Sequence, residues 1–491
     1  MNMELDADIC YRIIQSRDAR WDGTFFTAVT TTGIYCRPIC PSRTPGRRNV
    51  RFFALAAAAE AAGFRPCRRC RPETSPGTPA WNGTLTTVRS ALHLIGSGFL
   101  DEHSVADLAS LLGMGERHLR RLFDDHLGAA PAAVAQSRRA HFAARMLRET
   151  RLPLAQVALS AGFGSIRQFN DVFRSVFGQA PSALRRAAGP AVRGSRRGDH
   201  PYTLTLAFRP PYHWTTLLEF LRARAVRGVE EVSGDSYRRT IALGAAVGTL
   251  HVRRSREDGN ALSVSIAGIE PALLGEAVRR VRRMFDLDAD PAAIHAHLVR
   301  DARLAAVVRS LPGLRLPVTW DPFEAVVRAV LGQQVSVAGA ITVVGRLAER
   351  CGRPVEGAGS LSRAFPAPAD VASADLSGLG APGARTRTLA AVARAILAGT
   401  LAVDGYAPDE QRQRDLVAIP GIGPWSAQYV ALRGFGEPDA FPATDLGIRK
   451  AMDALGYESG AARREAAMKR LSPWRGYAAL YLWSAASVGG R

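Results

Sequence analysis

The spacing of apolar and polar residues predicts helices in the second quarter of the chain. Between residues 82 and 187, apolar side chains recur every three or four positions, which is typical of amphipathic helices. Ser104 and Ser165 each precede such a run, and Asp107 and Gln168 stand three residues later, as in a capping box. This block is therefore predicted to be all-α.

A different pattern opens the second half of the chain. Apolar and polar residues alternate over short stretches that begin at Leu204 and at Leu262. Alternation with a period of two predicts half-buried antiparallel strands. Helical spacing returns from about Asp321 to the end. The second half is thus expected to combine a strand-rich segment with a helical one.

Stretches rich in proline, glycine and polar residues indicate where domains meet. Pro72–Pro79 and Ala187–His200 have the composition of linkers, and Leu311–Gly313 is a further break. A chain of 491 residues is also too long for one ordinary core. We expect four domains, at residues 1–75, 82–187, 200–310 and 311–491. The predicted fold class is multidomain α+β, mostly α.

Composition narrows the kind of partner. A content of 47% hydrophobic and 22% charged residues excludes wholesale disorder. The net charge of +20 comes from 64 basic residues against 44 acidic ones, and Lys450 and Lys469 are the only lysines. Arginine suits phosphate, so this balance favours a nucleic-acid partner. A GC-rich coding bias would supply the same arginine preference, and composition therefore does not decide.

The sequence gives no sign of a membrane or export segment. The longest apolar candidate, Leu389–Val403, is interrupted by Arg394, and a span needs about 18 uninterrupted apolar residues. The first ten residues are acidic where a signal peptide would be basic. We therefore expect a cytoplasmic protein with reduced thiols.

Four cysteines are spaced like ligands of a tetrahedral metal. Cys36 and Cys40 form a C-x3-C knuckle, and Cys67 and Cys70 form a C-x2-C knuckle. This spacing predicts a zinc site. A closed structural site and a reactive one share the same spacing. Between Cys36 and Arg71, however, nine arginines accompany a single acid, so a four-thiolate centre of charge about −2 would be surrounded by groups that bind DNA phosphate.

The residues around these cysteines resemble a known family. The stretches TTGIYCRPICPSR and GFRPCRRCRPE are similar to the amino-terminal domain of the Ada adaptive-response family, and the similarity covers most of residues 5–75. The resemblance implies that Cys36, bound to zinc, accepts a methyl group irreversibly from a DNA methylphosphotriester. It also implies that Thr32 and Arg43 lie near the phosphate. Ordinary loop polarity is the alternative for these two residues.

The helical block has the pattern of two helix-turn-helix motifs. Ser104–Phe123 turns at Gly113, and Leu154–Phe173 turns at Gly162. The paired motifs and the ending FGQAPSALRR resemble AraC-type regulators, whose two second helices enter successive major grooves. A plain helical hairpin is the alternative for either motif alone. The resemblance implies that DNA contacts come from the second helices, with the candidates Arg117, Arg120, Arg167 and Gln168.

A glycine hairpin lies near the carboxyl end. Gly421 and Gly423 stand between two helical patterns in Leu416–Tyr429, where their backbone N–H groups can approach a DNA phosphate, directly or through a monovalent cation. Asp445 follows the second helix. A glycine hairpin followed by a lone aspartate resembles the helix-hairpin-helix DNA glycosylase superfamily. Without the hairpin, Asp445 would be interpreted as a helix cap.

Three further segments resemble one particular family within this superfamily. Pro210–Ala225, Arg328–Ser336 and Pro473–Trp483 resemble the AlkA family, 3-methyladenine DNA glycosylase II, and the similarity runs from about residue 200 to 491. It implies an architectural α+β (TBP-like) domain over residues 200–310 and a catalytic carboxylate at Asp445. It also implies that Gln333 contacts DNA near the flipped nucleotide.

Two positions next to these motifs bear on mechanism. Bifunctional members of the superfamily carry a lysine nucleophile where this chain has Trp425, so cleavage of the N-glycosidic bond alone is expected. Gln334 stands where the family can place an apolar wedge, and this departure leaves the wedge unidentified.

Aromatic residues are candidates for a base pocket. Trp425 and Tyr429 are four residues apart on one helical face, and Trp483 lies in the last AlkA-like segment. Electron-rich rings attract a cationic alkylated base by about 0.5–2 kcal/mol per contact. Ordinary core packing is the alternative for each ring.

Together these features predict a fused alkylation-damage protein: a zinc methyl acceptor, a DNA reader and a monofunctional glycosylase. Methylation of Cys36 would turn the reader into a transcription activator. The resemblances imply double-stranded DNA and RNA polymerase as partners, a monomer, and a bacterial cytoplasmic location at the nucleoid. The alternative is a purely regulatory activator whose glycosylase half is catalytically silent.

Overall fold

The computed structural model describes residues 6–76, 86–150, 152–187, 201–357, 359–403 and 409–488. The chain divides into two compact units. The first unit comprises residues 1–210, 255–279 and 287–289, and the second comprises 211–254, 280–286 and 290–491. The predicted linker at 187–200 lies almost wholly outside the described residues, as do positions 77–79 of the first linker.

The first unit begins with a small α/β region around the cysteines. Its elements are α1 (Ala7–Ser16), β1 (Phe26–Val29), β2 (Ile34–Cys36), β3 (Val50–Phe53), α2 (Ala56–Ala61) and β4 (Arg65–Pro66). The sheet has the order β3-β1-β2-β4, and β4 runs parallel to β2. Two small apolar clusters pack around this sheet, one on Tyr35 and one on Phe25. Apolar clusters as small as these two agree with a domain that a metal stabilises.

Helices make up the next region of the first unit, as predicted. They are α3 (Thr86–Ser97), α4 (Phe99–Glu102), α5 (Val105–Leu111), α6 (Glu116–Leu127), α7 (Pro131–Glu149), α8 (Leu154–Ser160), α9 (Ile166–Phe177) and α10 (Pro181–Ala187). The pairs α5–α6 and α8–α9 are the two predicted helix-turn-helix motifs. Gly113 and Gly162 lie at their turns with φ of +72° and +84°, the left-handed region that favours glycine.

The caps of α5 and α9 explain where these helices begin. Ser104 accepts a hydrogen bond from the backbone N–H of Asp107, and the Asp107 carboxylate accepts one from the N–H of Ser104, so the predicted capping box is confirmed. Ser165 accepts from the N–H of Gln168 in the same way. The Gln168 side chain, however, accepts from Gly164, one residue before the position that a capping box requires.

The two alternating stretches predicted as strands pair with each other. They form β5 (Tyr202–Ala207) and β9 (Ala261–Ala267), which are antiparallel, with Leu204 opposite Val264 and Leu206 opposite Leu262. In the second unit, α11 (Trp214–Arg222) is followed along the chain by an antiparallel meander of three strands. These strands are β6 (Glu230–Ser233), β7 (Ser236–Leu243) and β8 (Ala246–Arg254). Helices α12 (Leu274–Met284), α13 (Pro291–Leu298) and α14 (Ala305–Ser310) follow.

The rest of the second unit is helical in its described residues. The helices are α15 (Pro322–Leu331), α16 (Val337–Cys351), α17 (Pro368–Ser373), α18 (Gly383–Leu397), α19 (Asp409–Val417), α20 (Pro424–Val430), α21 (Leu446–Ala454), α22 (Ala461–Lys469) and α23 (Arg475–Val488). A large apolar core forms around α15, α16, α18 and α20. No helix in the described part of the chain is both long and apolar enough to cross a membrane.

Two candidate functional sites

Backbone pairing brings the two cysteine knuckles together. Cys36 ends β2, and Cys67 directly follows β4, which pairs with β2 in parallel so that Tyr35 lies opposite Pro66. The N–H of Cys67 donates to the Tyr35 carbonyl at 2.9 Å. As a result the four sulfur atoms lie within 4.8 Å of one another. The cluster that the spacing predicts is therefore formed.

The donor set fits zinc. Tetrahedral ligands with Zn–S bonds of about 2.3 Å have sulfurs about 3.8 Å apart, within the separation found here. Four ionised thiolates within 4.8 Å of one another repel each other, so this arrangement requires a cation. Cys67 and Cys70 are buried, whereas Cys36 and Cys40 are half-buried. Reagents thus have better access to the first knuckle than to the second.

The arginines around the cluster divide into two groups. Arg37 points inward: its guanidinium pairs with Asp22 and donates to the Cys70 carbonyl, and its side chain is only 11% exposed. Arg71 pairs with the buried Glu73. Seven others are exposed: Arg43, Arg47, Arg48, Arg51, Arg65, Arg68 and Arg69. The expectation that all nine arginines face DNA therefore needs correction, because Asp22 and Glu73 bind two of them internally.

The candidate phosphate contacts lie on the surface near the first knuckle. Thr32 and Arg43 are both exposed, and the Thr32 hydroxyl is 3.4 Å from the Val29 carbonyl. The structure leaves both side chains accessible to DNA. Exposure agrees equally with the alternative of loop polarity.

The candidate residues of the two recognition helices also face solvent. Arg117 and Arg120 lie on α6, and Arg120 pairs with Glu116 one turn earlier. Arg167 and Gln168 are exposed at the start of α9. The opposite faces of both helices are buried, as Phe123 and Phe169 show. Each motif therefore presents a polar face, as a major-groove reader requires.

The glycine hairpin has a tightly packed turn. Gly421 has φ of +92°, and a Cβ at this position would lie 2.1 Å from the Thr388 hydroxyl oxygen, so only glycine fits. Gly423 caps the start of α20. Gln333 donates to the Gly421 carbonyl at 2.9 Å and to the Ser426 hydroxyl at 3.2 Å. Gln333, which is predicted to contact DNA, is therefore hydrogen-bonded to the glycine hairpin.

Asp445 accepts hydrogen bonds from four donors. Its Oδ1 accepts from the backbone N–H groups of Gly447 and Ile448, which makes Asp445 the N-cap of α21. The same oxygen accepts from the Trp483 indole at 2.9 Å, and Oδ2 accepts from the Trp425 indole at 3.1 Å. Asp445 therefore does cap α21, as the alternative interpretation proposed. Capping alone, however, does not require hydrogen bonds from two indoles.

The three candidate pocket aromatics lie around this carboxylate. Trp425 and Tyr429 stack with ring centroids 5.4 Å apart. Both rings, Trp483 and Asp445 are half-buried rather than sealed in the core. Two of these rings, Trp425 and Trp483, donate to the same acid while they stay partly open, and core packing alone does not account for this arrangement.

Sequence reasoning missed Gly447 next to this carboxylate. A Cβ at Gly447 would lie 3.2 Å from both Asp445 and the Trp483 ring, so a small residue lets the indole reach the acid. Its position directly after Asp445 and Leu446 was the available signal.

It also missed two arginines near the pocket, of which Arg433 is buried and Arg224 is half-buried. The guanidinium groups of Arg224 and Arg433 both lie against the Phe220 ring, 3.8 and 4.5 Å from its centroid. Burial lowers the pKa of Arg433 to about 10. Phe220 and Arg224 lie within the AlkA-like segment Pro210–Ala225, which was the available signal.

The turn between α15 and α16 bears on the missing wedge. Gln334 is exposed and has φ of +53°. Val335, the next residue, keeps 45% of its surface exposed. An apolar side chain is thus available one position after the expected one.

Comparison with known proteins agrees with this organisation. Four family models match the chain: the metal binding domain of Ada at residues 9–73, a helix-turn-helix domain at 108–187, the AlkA N-terminal domain at 203–321, and the HhH-GPD superfamily base excision DNA repair protein at 327–476. The family models thus follow one another along the chain in the order that the motifs predict.

Similar proteins include one relative over nearly the whole chain. A probable bifunctional transcriptional activator/DNA repair enzyme AlkA of Mycobacterium tuberculosis is 42% identical over 98% of this chain and 97% of its own length. DNA-3-methyladenine glycosylase 2 of Escherichia coli is 38% identical over 57% of this chain and 96% of its own.

A solved structure shares the fold of the carboxyl-terminal part. The 3-methyladenine DNA-glycosylase of Archaeoglobus fulgidus matches 57% of this chain and 97% of its own, with a TM-score of 0.52 and 21% identity. With the near-full-length relative, four family models in order and both sites formed, the chain belongs to the family of bifunctional transcriptional activator/DNA repair proteins of the AlkA type.

Proposed function

We propose that this protein repairs alkylated DNA at two separate residues and reports the damage to transcription. Cys36 takes a methyl group from a DNA methylphosphotriester once and irreversibly. Asp445 supports repeated hydrolysis of the N-glycosidic bond of alkylated bases of the 3-methyladenine type. The main support for the glycosylase activity is that the Asp445 carboxylate accepts hydrogen bonds from two indoles. The four-sulfur cluster among exposed arginines supports the methyl acceptor.

The methyl transfer is a direct displacement. The Cys36 sulfur attacks the methyl carbon, an S–C bond forms as the C–O bond breaks, and the electron pair leaves with the phosphate oxygen. When bound, zinc keeps the attacking sulfur deprotonated. Exposed arginines such as Arg43 and Arg69 hold the DNA backbone. Because a thioether replaces a thiolate, the site loses one negative charge and repels DNA less.

Accessibility favours Cys36 over the buried pair. Cys67 and Cys70 lie in the interior, and Cys70 also accepts a hydrogen bond from the Arg37 backbone N–H at 3.3 Å. A sulfur that accepts such a bond is less nucleophilic. Cys36 has no such bond among the hydrogen bonds of the described residues, and the resemblance to the Ada family supports Cys36 as the acceptor.

The glycosidic cleavage uses the carboxylate for electrostatic stabilisation. As the bond breaks, its electrons leave with the base, and positive charge develops on the sugar beside Asp445. The two backbone N–H groups of the cap and the two indoles fix the position of this carboxylate beside the sugar. Water then adds to the sugar and leaves an abasic site. Trp425 and Tyr429 stack on the departing base.

Trp425 also excludes one reaction course. An indole cannot form a Schiff base, so the strand stays intact after base release. We expect an abasic site without strand cleavage.

The test of the glycosylase is Asp445→Asn. Asparagine caps helices as well as aspartate does, so this variant removes the charge and keeps the cap. We expect release of 3-methyladenine from methylated duplex DNA to fall about 10²- to 10³-fold, the usual effect of removing one stabilising group. Release at the wild-type rate would favour the purely regulatory alternative, in which Asp445 is only a cap.

The test of the methyl acceptor is Cys36→Ala. Mass spectrometry should find one added methyl group on the cysteine knuckles of the wild-type protein and none on this variant. Cys40→Ala is the matched control for the loss of one ligand, because it weakens zinc binding without removing the acceptor sulfur. Methylation that persists in Cys36→Ala would refute the assignment.

Further parts of the proposal concern partners and place. The exposed Arg117, Arg120, Arg167 and Gln168 contact promoter DNA, and Gln333 with the hairpin contacts damaged DNA, where a monovalent cation joins Gly421 and Gly423 to phosphate. Activation proceeds through RNA polymerase, with the protein as a monomer in the cytoplasm and at the nucleoid. The functional domains follow the boundaries at 1–75, 82–187, 200–310 and 311–491.

A further inference from the structure

One face of α7 carries an unusual row of polar side chains. Ser137, His141, Arg145 and Arg148 are spaced by four, four and three residues, and therefore lie on the same side of the helix. Ser137 and Arg145 are buried, and the His141 and Arg148 side chains are each only 13% exposed. Buried polar groups of this kind are costly unless they are paired. Their polar contacts with Tyr35, Glu60 and Glu73 reach the cysteine region.

The first set of contacts reaches the strand that ends at Cys36. Tyr35, which is fully buried, donates its hydroxyl to Glu60 Oε1 at 2.7 Å. His141 Nε2 lies 2.8 Å from the same oxygen and 3.0 Å from the Tyr35 hydroxyl. Burial raises the pKa of Glu60, but bonds to His141, Tyr35 and Ser137 more than offset this, and the pKa is lowered overall. Glu60, the single acid between Cys36 and Arg71, therefore binds side chains of α7 and does not face solvent.

The second set of contacts reaches the other knuckle. Glu73 stands three residues after Cys70, and its side chain is 1% exposed. Its carboxylate pairs with Arg148, and its backbone carbonyl accepts from Arg145 at 2.8 Å. Each of the two cysteine knuckles is therefore anchored to the same helix.

Helix α7 also reaches the second recognition helix. It connects the two helix-turn-helix motifs, and the His141 ring packs edge-on against Phe177 at the end of α9, with centroids 5.4 Å apart. Phe177 in turn stacks on Phe173 at 4.5 Å. Direct contacts therefore lead from Tyr35, the neighbour of Cys36, through His141 to the core of α9.

We propose that this polar face of α7 is the coupling element between the methyl acceptor and the DNA reader. It holds the two knuckles and α9 in one arrangement, so that the change at Cys36 alters the DNA affinity of the whole module and not of the cysteine region alone. His141 and Arg148 are positioning residues in this account, since they do not touch the reacting atoms. The inference rests on the proposed methyl acceptor.

The test compares methyl transfer with its consequence in full-length, zinc-loaded protein. The double variant His141→Leu/Arg148→Leu removes both anchors, and His141→Gln is the conservative variant that retains hydrogen-bonding capacity. The measurements are zinc content, the rate of methyl transfer from phosphotriester DNA, and the ratio of duplex-DNA Kd values before and after methylation at one salt concentration. A coupling of the usual size corresponds to about fivefold or more.

We expect the double variant to keep its zinc and its transfer rate while the methylation-dependent gain in affinity falls about fivefold or more. His141→Gln should restore part of the gain. The control is Arg138→Gln, which removes another arginine–carboxylate pair of α7, the one with Asp101, without touching the cysteine region, and it should leave the gain unchanged.

Two results would overturn the proposal. One is an undiminished gain in the double variant, which would mean that charge at the zinc site acts alone. The other is a loss of zinc content, methyl-transfer rate and DNA affinity together in the double variant, with the same loss in the milder variant Glu60→Gln. That result would mean that the polar face of α7 only supports folding. If wild-type protein accepted no methyl group, the proposed function itself would fail, and this outcome is distinguishable from both.

Discussion

The two chemical centres of this protein are built in opposite ways. The cysteine cluster is assembled by backbone pairing of two short strands in a region with two small apolar clusters. Asp445 begins a helix in a unit with a large apolar core, and two indoles fix its carboxylate. We therefore expect the first centre to depend on a metal for its stability, whereas helix α21 and two indoles position the carboxylate of the second.

This difference matches the chemistry proposed for each centre. A methyl acceptor works once, so its sulfur can be consumed and its change in charge can serve as a signal. A glycosylase turns over many times, so its carboxylate must return unchanged after each release. Variants that act on one centre should consequently leave the other unaffected.

Removal of zinc should produce the largest difference between the activities of the two centres. A chelator strong enough to take a four-thiolate metal should abolish methyl transfer and destabilise the cysteine region, because metal binding supplies much of its folding free energy. Base release should continue at its original rate. Loss of both activities on chelation, measured on the same sample, would contradict the separation.

A smaller effect should follow from removing one indole N–H at the second centre. Trp483→Phe keeps an aromatic ring but deletes the 2.9 Å donor to Asp445. A hydrogen bond to a charged group contributes about 1.5–3 kcal/mol, so base release should slow at least about tenfold.

The control for this variant is Trp214→Phe, which deletes an indole bond to the Asp235 carbonyl in the same unit. Equal slowing in both variants would indicate general destabilisation and not a role for Trp483 at the carboxylate. A thermal melt of each variant separates these explanations.

The smallest effect concerns the turn at Gln334. Replacing this exposed residue by leucine supplies the apolar wedge that the family pattern predicts, and we expect tighter binding to abasic duplex DNA by a few-fold, on the order of 1 kcal/mol. Val335→Ser should act in the opposite direction if Val335 serves as the present wedge. No change in Kd for either variant would place the wedge elsewhere.

Local patterns in the sequence predicted much of both units. The capping box at Ser104, the strand alternation at Leu204 and Leu262, and the spacing of the cysteines each involve residues close in the chain. The structure confirms them because such features depend on local geometry. The glycine at 421 is a further example, since its turn needs the left-handed conformation.

Long-range pairs lay beyond this kind of prediction. The pairing of Arg37 with Asp22 removes one arginine from the DNA-facing set, and the contact of Glu60 with His141 joins residues 81 positions apart. The indole bonds to Asp445 were missed for the same reason. Periodicity shows which face of an element is apolar, but it does not show which polar groups meet across the fold.

We propose that one chain carries two independent chemistries, each on one residue. The most direct measurement treats methylated duplex DNA with wild-type protein, Cys36→Ala and Asp445→Asn, and quantifies both methyl on the protein and free 3-methyladenine. We predict that Cys36→Ala loses only the protein methyl and that Asp445→Asn loses only base release. Loss of both products in either variant, with the fold and zinc intact, would contradict the account.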